Sequence, residues 1–417
     1  MGAPPADTRF PLFPLLTLAV AIFLSVTIEM LPTGLLPQMS AELGVTEASI
    51  GLTVSVFAFT VVLTSTWVTA LLRRIPRHRL VVGVLVILAV SALVTSIAPN
   101  YGVLVASRIL GGLAHGVFWS VVGAYSAYIV PREQLGRAVS ITLGGGSLAF
   151  VIGVPLGTAL GNAVGWRVSF AILGVLTIVG AAFIYRLLPR VDHLTADSVI
   201  GTPTGSITVL TDELRASHVP RRDQSVSAVV FICIITAVTM IGQYSFYTFV
   251  APFLTRSMGL AQAAVSPALA IYGVSGVLSL VLMAFFLAKR PRAATIGALV
   301  ALLVIVLVLA TVPRMLPLSL PAFVFWGLAI GVLPPLLQTR LLHAASPRIR
   351  DTANAFYTTA FNIGIGGGAL VGSILLAGLG IGSLPFVDAG ILVLAIVVAI
   401  ISDRLLRQRP ARRVLDH

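Results

Sequence analysis

The sequence predicts an all-α membrane protein in which twelve transmembrane helices form two pseudo-symmetric six-helix bundles. Three observations support this prediction: a very apolar composition, twelve apolar segments of membrane-spanning length, and sequence features repeated at a fixed offset. Hydrophobic residues make up 58% of the 417-residue chain, charged residues only 10%, and the mean hydropathy is +1.04. A soluble protein of this length needs far more polar surface.

The apolar segments define the predicted spans and domains. Each segment is long enough to cross a hydrocarbon core of about 30 Å as a helix, and none shows the alternation of barrel strands. They cover residues 12–36, 48–72, 80–98, 101–130, 136–161, 166–188, 226–252, 263–288, 293–312, 318–344, 353–379 and 384–401. The polar segment 189–223 is predicted to be a cytoplasmic linker. It joins an N-terminal bundle, 1–188, to a C-terminal bundle with a cytoplasmic tail, 224–417.

The positive residues predict the orientation in the membrane. Of the 27 Lys and Arg residues, all but Arg108, Arg167, Arg256 and Arg314 fall in the termini and in the alternate loops on their side. The positive-inside rule then places both termini in the cytoplasm, as for a multi-pass protein of the cell (inner) membrane. These clusters do not form one basic face, so the net charge of +13 does not indicate nucleic-acid binding. The first apolar segment lacks a small-residue cleavage site and is interpreted as a span.

A single offset aligns the two halves. The stretch GLAHGV at 112–117 becomes GLAIGV at 327–332, a shift of 215 residues. The same shift relates three other sets of residues: Pro37 and Gly44 to Pro252 and Gly259, Gly153 to Gly368, and Gly157 to Gly372. Their shared register predicts parallel six-span repeats, which commonly enclose a central site that opens alternately to either side.

The charged residues at membrane depth are concentrated in the N-terminal half. Glu29 and Arg108 each lie about seven residues from the outer end of their spans, so both are roughly 10 Å deep. His115 lies two helical turns beyond Arg108 on the same face. The offset maps these positions to Tyr244, Phe323 and Ile330. We therefore expect the N-terminal half to handle protons and the C-terminal half to help enclose the substrate.

Glu29, Arg108 and His115 are the candidate proton-coupling residues. Opposite charges at equal depth predict an ion pair between Glu29 and Arg108, because each charge is costly alone in the membrane. A static ion pair that fixes two helices remains the alternative. For His115, the alternative to proton handling is a neutral ring bonded to a backbone carbonyl. Asp388, near the outer end of the last span, is expected to be interfacial.

Aromatic and amide side chains in the spans predict a cavity for a mostly neutral molecule. The alternative is that they serve packing and hydrogen bonding between helices. The candidate substrate-binding residues are Phe118, Trp119, Gln243, Tyr244, Tyr247, Trp326, Gln338, Asn354, Phe361 and Asn362.

The sequence shows no pattern typical of an enzyme or of a cofactor site. The glycine-rich runs at 144–146 and 364–368 follow no predicted strand and lack the Gly-Lys-Ser/Thr of a phosphate loop. No metal-ligand cluster or nucleophile–base set is present in the sequence. The expected partners are therefore a small-molecule substrate, protons and the lipid bilayer, with no cofactor and no metal, and the chain is expected to be a monomer.

Four stretches give the chain a resemblance to a known family. They are EMLPTGLLPQMSAELGV in span 1, SRILGGLAHGVFWS in span 4, GVPLGTALGNAVGWRVSF from span 5 onward, and NAFYTTAFNIGIGGGALVGS in span 11. Over nearly its whole length the chain resembles a major facilitator superfamily transporter. It is most similar to the twelve-span drug:proton antiporters, especially the sugar-efflux and arabinose-efflux-like members and the chloramphenicol-efflux relatives.

The resemblance implies proton-driven export by alternating access. The family's span-4 arginine motif falls on Arg108, followed by Gly112, and its span-5 antiporter motif falls on Gly153, Pro155, Gly157 and Gly161. There are two departures from the family pattern. The stretch TALLRRIPRHR keeps the basic cluster of the loop between spans 2 and 3 but lacks its aspartate, and the span-5 proline is displaced by one residue.

The sequence thus predicts a proton-coupled exporter of a small organic molecule, such as a sugar or an amphenicol-like drug. An uncoupled facilitator or importer is the alternative within transport. A polytopic sensor or membrane enzyme is the alternative from another class, and it requires an appended domain or catalytic set that this sequence does not contain.

Overall fold

The structure is a computed structural model that describes residues 10–72, 75–130, 134–189, 223, 225–287, 291–346 and 349–407. Nearly all of the predicted linker, residues 190–222, lies outside this range, as do Arg73 and Arg74 of the basic cluster. The domain boundaries at 188 and 224 therefore stay a prediction.

Every regular element in the described residues is helical. The helices of the N-terminal half are Leu12–Leu43, Glu47–Leu71, Arg77–Ser96, Tyr101–Ile129, Leu135–Leu148 continued through a π-helical turn at Ala149–Gly153 into Val154–Val164, and Trp166–Leu187. Those of the C-terminal half are Val226–Tyr247 with Val250–Pro252 and a π-helical turn at Phe253–Ser257, Gln262–Leu282 with a π-helical turn at Met283–Leu287, Pro291–Thr311, Leu316–Ala344, Arg350–Leu379, and Leu384–Arg407 after a 3₁₀ turn at Ile381–Ser383. We number them spans 1 to 12.

Twelve of the described helices are long and apolar enough to cross a membrane. The predicted fold class is therefore confirmed. The end of the bundle where span 1 begins and span 12 ends is called the termini face below, and the other end the far face. Span 1 continues past its predicted end at residue 36 to Leu43, with Pro37 inside the helix. Spanning helices tolerate such prolines when neighbouring groups satisfy the freed carbonyls.

The loops at the far face repeat at the predicted offset. The positive-φ glycines form two pairs 215 residues apart, Gly44 with Gly259 and Gly165 with Gly380, and their φ angles lie between 63° and 94°. Residues with a Cβ rarely adopt this left-handed conformation. The same reversal of the chain is thus built at the same place in each half.

The helix contacts inside each half repeat as well. A Cβ on Gly112 of span 4 would lie 2.7 Å from the carbonyl oxygen of Phe57 in span 2. A Cβ on Gly327 of span 10 would lie 2.5 Å from the carbonyl oxygen of Tyr272 in span 8. Phe57 and Tyr272 are themselves 215 residues apart. Small residues that let two backbones approach are typical of helix packing in membranes, and here they set the same crossing in both halves.

At the termini face, the same positions hold different clamps. In the N-terminal half, the Tyr125 hydroxyl of span 4 donates to the carbonyl oxygen of Pro189, just after span 6. In the C-terminal half, Arg340 of span 10 forms a buried ion pair with Asp403 of span 12 at 2.6 Å. Tyr125 and Arg340 are related by the 215-residue offset. Each clamp ties the fourth helix of its half to the sixth.

The two halves are joined by polar contacts at the far face. Arg256, in the π-helical turn of span 7, pairs with Glu47 at the start of span 2. The Gln262 amide of span 8 donates to Asn162 of span 5 at 3.2 Å, and Ser266 of span 8 donates to the carbonyl oxygen of Pro155 at 2.7 Å.

Spans 2 and 11 pack against each other near the far face and deeper in the bundle. Gly51 of span 2 lies against Ser373 of span 11, and Gly366 of span 11 lies against Phe59 of span 2. These contacts join the two halves in addition to the polar contacts at the far face.

Alanine at Gly112 or Gly327 is expected to destabilise the fold, because the added Cβ overlaps a carbonyl oxygen of the neighbouring span. The loss should be on the order of 1–3 kcal/mol, measured as a lower Tm of the purified protein in detergent. Gly297 of span 9 has nothing within 4 Å of its Cβ position, so Gly297→Ala is the matched control. Equal Tm values for the three variants would contradict these close approaches.

Candidate functional site

Arg108 is held by the main chain of span 1. Its guanidinium nitrogens donate to the carbonyl oxygens of Ile28 at 3.0 Å and Glu29 at 2.8 Å, and the side chain is buried. Pro32 explains why an acceptor is available there. Proline has no N–H, so it cannot bond the carbonyl four residues earlier, which is that of Ile28. Arg108 supplies the missing donor.

The prediction that the Glu29 carboxylate forms an ion pair with Arg108 is therefore wrong. The carboxylate of Glu29 instead lies 3.4 Å from Nε2 of His115, while Arg108 contacts the Glu29 backbone. Nδ1 of the same histidine lies 2.8 Å from the hydroxyl of Ser25. Ser25 and Glu29 are four residues apart, so they share one face of span 1 and hold the imidazole from both sides.

Phe57 of span 2 separates the two basic groups. The Arg108 guanidinium lies 4.3 Å above the Phe57 ring, in the geometry of a cation–π contact. The same ring meets His115 edge-on, with ring centroids 5.2 Å apart. His115 also lies 6.0 Å from Trp119 on its own helix. The positive charge of Arg108 also acts on the Glu29 carboxylate, since the guanidinium is bound to the carbonyl oxygen of the same residue.

The antiporter-motif glycines bring span 5 against span 1. A Cβ on Gly157 would lie 2.7 Å from Cδ1 of Leu31, and Gly153 and Gly161 abut Thr27 and Leu35 in the same way. The π-helical turn ends at Gly153, two residues before Pro155. Pro155 accepts the hydrogen bond from span 8 described above. The motif therefore joins span 1, which carries Glu29, to the contact between the halves.

In the C-terminal half, an amide organises a cluster of aromatic rings. Gln243 donates to the Tyr272 hydroxyl at 2.8 Å and accepts from Nε1 of Trp326 at 2.9 Å. The Trp326 ring stacks on Phe246 with centroids 4.5 Å apart, and Tyr247 stacks on Tyr272 at 5.0 Å. Gln243 and Trp326 are both buried. The two hydrogen bonds of the Gln243 amide thus hold Tyr272 and Trp326 inside the cluster.

Two tyrosines connect this cluster to the N-terminal half. Tyr247 lies 6.3 Å from Phe150 of span 5, measured between ring centroids. Tyr244 packs edge-on to Tyr247, and it is near enough to Glu29 for the two side chains to interact electrostatically. Tyr244 is also the residue that the 215-residue offset relates to Glu29. Symmetry-related positions of the two halves thus come near each other.

The remaining predicted substrate-binding residues do not all join this cluster. Gln338 of span 10 donates to Asn354 of span 11 at 3.0 Å, and Gln338 lies twelve residues, or about 18 Å of helix, from Trp326. Asn362 donates to the carbonyl oxygen of Thr358 at 3.0 Å. The residues of this second group are partly exposed, and they are Gln338, Asn354, Phe361 and Asn362.

Trp119 and Phe118 are neighbours with different surroundings. Trp119 is partly exposed, whereas Phe118 is 1% exposed and packs in the core of its half. The assignment of both residues to substrate binding stays a prediction.

Sequence reasoning missed Ser25, Phe57, Phe150 and Tyr272. The spacing of four residues between Ser25 and Glu29 is a signal for the first. Tyr272 and Phe57 share the 215-residue offset, which is a signal for those two. Asp388, expected at the interface, is fully buried instead, because it packs against Gly242 of span 7. Within the described part of the chain, no three His, Cys, Asp or Glu residues are grouped as metal ligands.

The chain matches a known family profile over most of its length. The profile of the Major Facilitator Superfamily matches residues 18–366 and 232–415. The chain belongs to this superfamily. The resemblance stated from its motifs is thereby confirmed, and the protein is a multi-pass membrane transporter of small molecules rather than an enzyme.

Curated relatives and solved structures agree with this assignment. The chain is 29% identical over 382 residues to a probable sugar efflux transporter of Mannheimia succiniciproducens, covering 91% of each chain. It is 28% identical to one of Helicobacter acinonychis, covering 91% and 92%. A bacterial homologue of the human lysosomal transporter Spinster has a TM-score of 0.75 at 16% identity, with 98% and 100% coverage. A D-xylose–proton symporter has a TM-score of 0.73 at 16% identity, with 94% and 97% coverage.

The shared carbonyl of Ile28 predicts coupling between Pro32 and Arg108. Arg108→Lys should lower the free energy of unfolding, because an ammonium cannot reproduce a fork that holds two carbonyl oxygens. In a Pro32→Ala background the loss should be smaller, since the restored N–H can bond the Ile28 oxygen. Unfolding of the four proteins in detergent should give a coupling energy of about 0.5–3 kcal/mol. Pro37→Ala is the control, and the same additive loss in both backgrounds would refute the assignment.

Proposed function

We propose that the protein exports a small, mostly neutral polar molecule in exchange for protons, by alternating access. The observation that carries this proposal is the buried contact between Glu29 and His115, placed near Tyr244. We favour a sugar as the substrate, and an amphenicol-like drug is the second candidate substrate.

The arrangement around Glu29 supports proton exchange. Arg108 already has two carbonyl acceptors, so the Glu29 carboxylate is not locked in a bidentate arginine pair. Its Oε1 accepts no hydrogen bond from any described residue. The carboxylate is stabilised by basic neighbours when it is charged, and by burial when it is protonated. A group balanced in this way can take up a proton on one side of the membrane and release it on the other.

The proton and the substrate must act on each other reciprocally. Substrate that binds near Glu29 and Tyr244 changes the proton affinity of the carboxylate, and by linkage protonation changes the substrate affinity to the same extent. Exchange follows if substrate binding favours proton release. His115 is placed to accept or share this proton, because Ser25 holds the other side of its ring.

The candidate substrate-binding side chains support a polyhydroxylated substrate. Aromatic rings such as Tyr247 and Trp119 offer faces to the apolar side of a sugar ring, and amides such as Gln338 and Asn362 offer donors and acceptors to its hydroxyls. The names of the relatives from Mannheimia and Helicobacter point to the same class.

The contacts between the halves near the far face support the direction of loading. With both termini in the cytoplasm of an inner-membrane protein, these contacts close the outer side, and the substrate is loaded from the cytoplasm. Closure of the cytoplasmic side, with opening of the far face, would then release it outward. We propose that one chain carries out this cycle as a monomer.

Glu29→Gln is expected to abolish export driven by a proton gradient and to leave substrate exchange partly intact, because glutamine keeps the shape and loses the exchangeable proton. The measurement is transport in proteoliposomes, with sugars and amphenicols screened with and without a gradient. Glu42→Gln, in the same helix but in a surface ion pair with Arg167, is the matched control and should export normally. Export at the wild-type rate by Glu29→Gln would instead favour an uncoupled facilitator.

Linking the far-face pair is expected to stop transport. In a Cys233→Ser background, Glu47→Cys with Arg256→Cys should react with a short, cleavable bifunctional thiol reagent and lose export, because the halves can no longer part at that face. Cleavage of the linker should restore transport. The control is Glu42→Cys with Arg167→Cys, which joins spans 1 and 6 within one half and should remain active when linked. Full activity of the linked 47–256 variant would argue against opening at the far face.

A further inference from the structure

Asp388 is a buried acid that the proposed function does not use. It is the fifth residue of span 12 and has 0% exposure. Neither of its carboxylate oxygens accepts a hydrogen bond from any described residue. An ionised carboxylate without water, cation or donor is strongly disfavoured in such a site. The neutral acid, which carries a proton, is the form that suits these surroundings.

Asp388 lies directly against span 7. A Cβ on Gly242 would come 2.5 Å from Oδ1 of Asp388 and 3.2 Å from Cγ2 of Ile391. Only a glycine leaves room for the carboxyl group at this crossing. The next residue of span 7 is Gln243, which holds Tyr272 and Trp326. Asp388 therefore packs against the residue that precedes Gln243, whose amide organises the aromatic cluster.

The charged and titratable groups around Asp388 provide no counter-charge. Tyr272 of span 8 is in electrostatic contact with it. On span 7, the titratable residues nearest in sequence to Gly242 are Tyr244 and Tyr247, two and five residues further along. The cationic Arg292 lies at the start of span 9, at the termini face. Arg256 and Arg314 line a surface groove at the far face together with Ile381 and Gly382. Among the described residues, none of these arginines forms an ion pair with Asp388.

We propose that Asp388 is a second proton-binding site, separate from Glu29, which holds its proton in the conformation described here. Its release breaks the carboxyl O–H bond and passes the proton to water, leaving a carboxylate that requires solvation. Solvation requires span 12 to move away from Gly242. Proton release at Asp388 is therefore tied to a relative movement of spans 7 and 12, and span 7 is the helix that carries Tyr244 and Tyr247.

This inference rests on the proposed function only for its part in transport, since the protonated acid itself can be observed without transport. The test is infrared difference spectroscopy of the purified full chain over a pH titration. Wild type should show a protonated-carboxyl band that is lost at alkaline pH, remains in Glu29→Gln and is absent from Asp388→Asn. Asparagine keeps the shape of the neutral acid, so this variant should fold.

Gly242→Ala provides a second readout, because its Cβ crowds the carboxyl oxygen. It should shift the pH midpoint of the Asp388 band, whereas Gly390→Ala, with nothing within 4 Å of its Cβ position, should leave the midpoint unchanged. Three results would overturn the inference: a spectrum of Asp388→Asn identical to wild type, a band that persists at every pH at which the protein stays folded, or loss of the band on adding Na⁺ at fixed pH.

The two proposals fail in different ways. If Glu29→Gln exports normally while the Asp388 band titrates, the proposed role of Glu29 fails and Asp388 remains as a proton site. If Glu29→Gln loses coupling and no Asp388 band exists, the second site fails and the proposed function stands.

Discussion

The missing hydrogen bond at Pro32 is the constraint on which the central site depends. A cation at membrane depth must find acceptors, and a proline in a spanning helix leaves a carbonyl without its donor. The hydrogen bond from Arg108 to the carbonyl oxygen of Ile28 gives the cation an acceptor and the carbonyl a donor. Because the main chain holds the guanidinium, the Glu29 side chain is left to pair with His115. A direct bidentate pair of Arg108 and Glu29 would have fixed the carboxylate as a structural ion.

The two halves share a backbone frame but differ in chemistry. Glycines at 112 and 327 set the same helix crossing, and positive-φ glycines end the corresponding loops. In the N-terminal half, the guanidinium of Arg108 lies over the ring of Phe57. The offset relates these two residues to Phe323 and Tyr272, whose rings pack against each other with centroids 5.5 Å apart. Packing of small residues therefore fixes the architecture, and the side chains around it are free to diverge. At the candidate site, the N-terminal half contributes Glu29, Arg108 and His115, whereas the C-terminal half contributes mainly aromatic rings.

Much of the fold follows from the sequence because its signals are local or periodic. Span length follows from apolar runs, and the 215-residue offset follows from glycines that later prove to contact equivalent carbonyls. The partner of Arg108 did not follow, because depth along a helix gives no rotation and does not distinguish a carboxylate from the carbonyl of the same residue. Pro32 carried the relevant signal. Asp388 was misplaced for a similar reason: its position near a helix end suggested the interface, whereas Gly242 of another span buries it.

The most direct measurement of the account is proton release when the purified protein, in weakly buffered detergent solution, binds the substrate found in the export screen. If Arg108 is satisfied by the main chain and Glu29 is the exchangeable group, wild type releases protons on binding and Glu29→Gln releases fewer. The same release from both proteins would contradict the account, because the carboxylate beside His115 would then have no part in proton exchange.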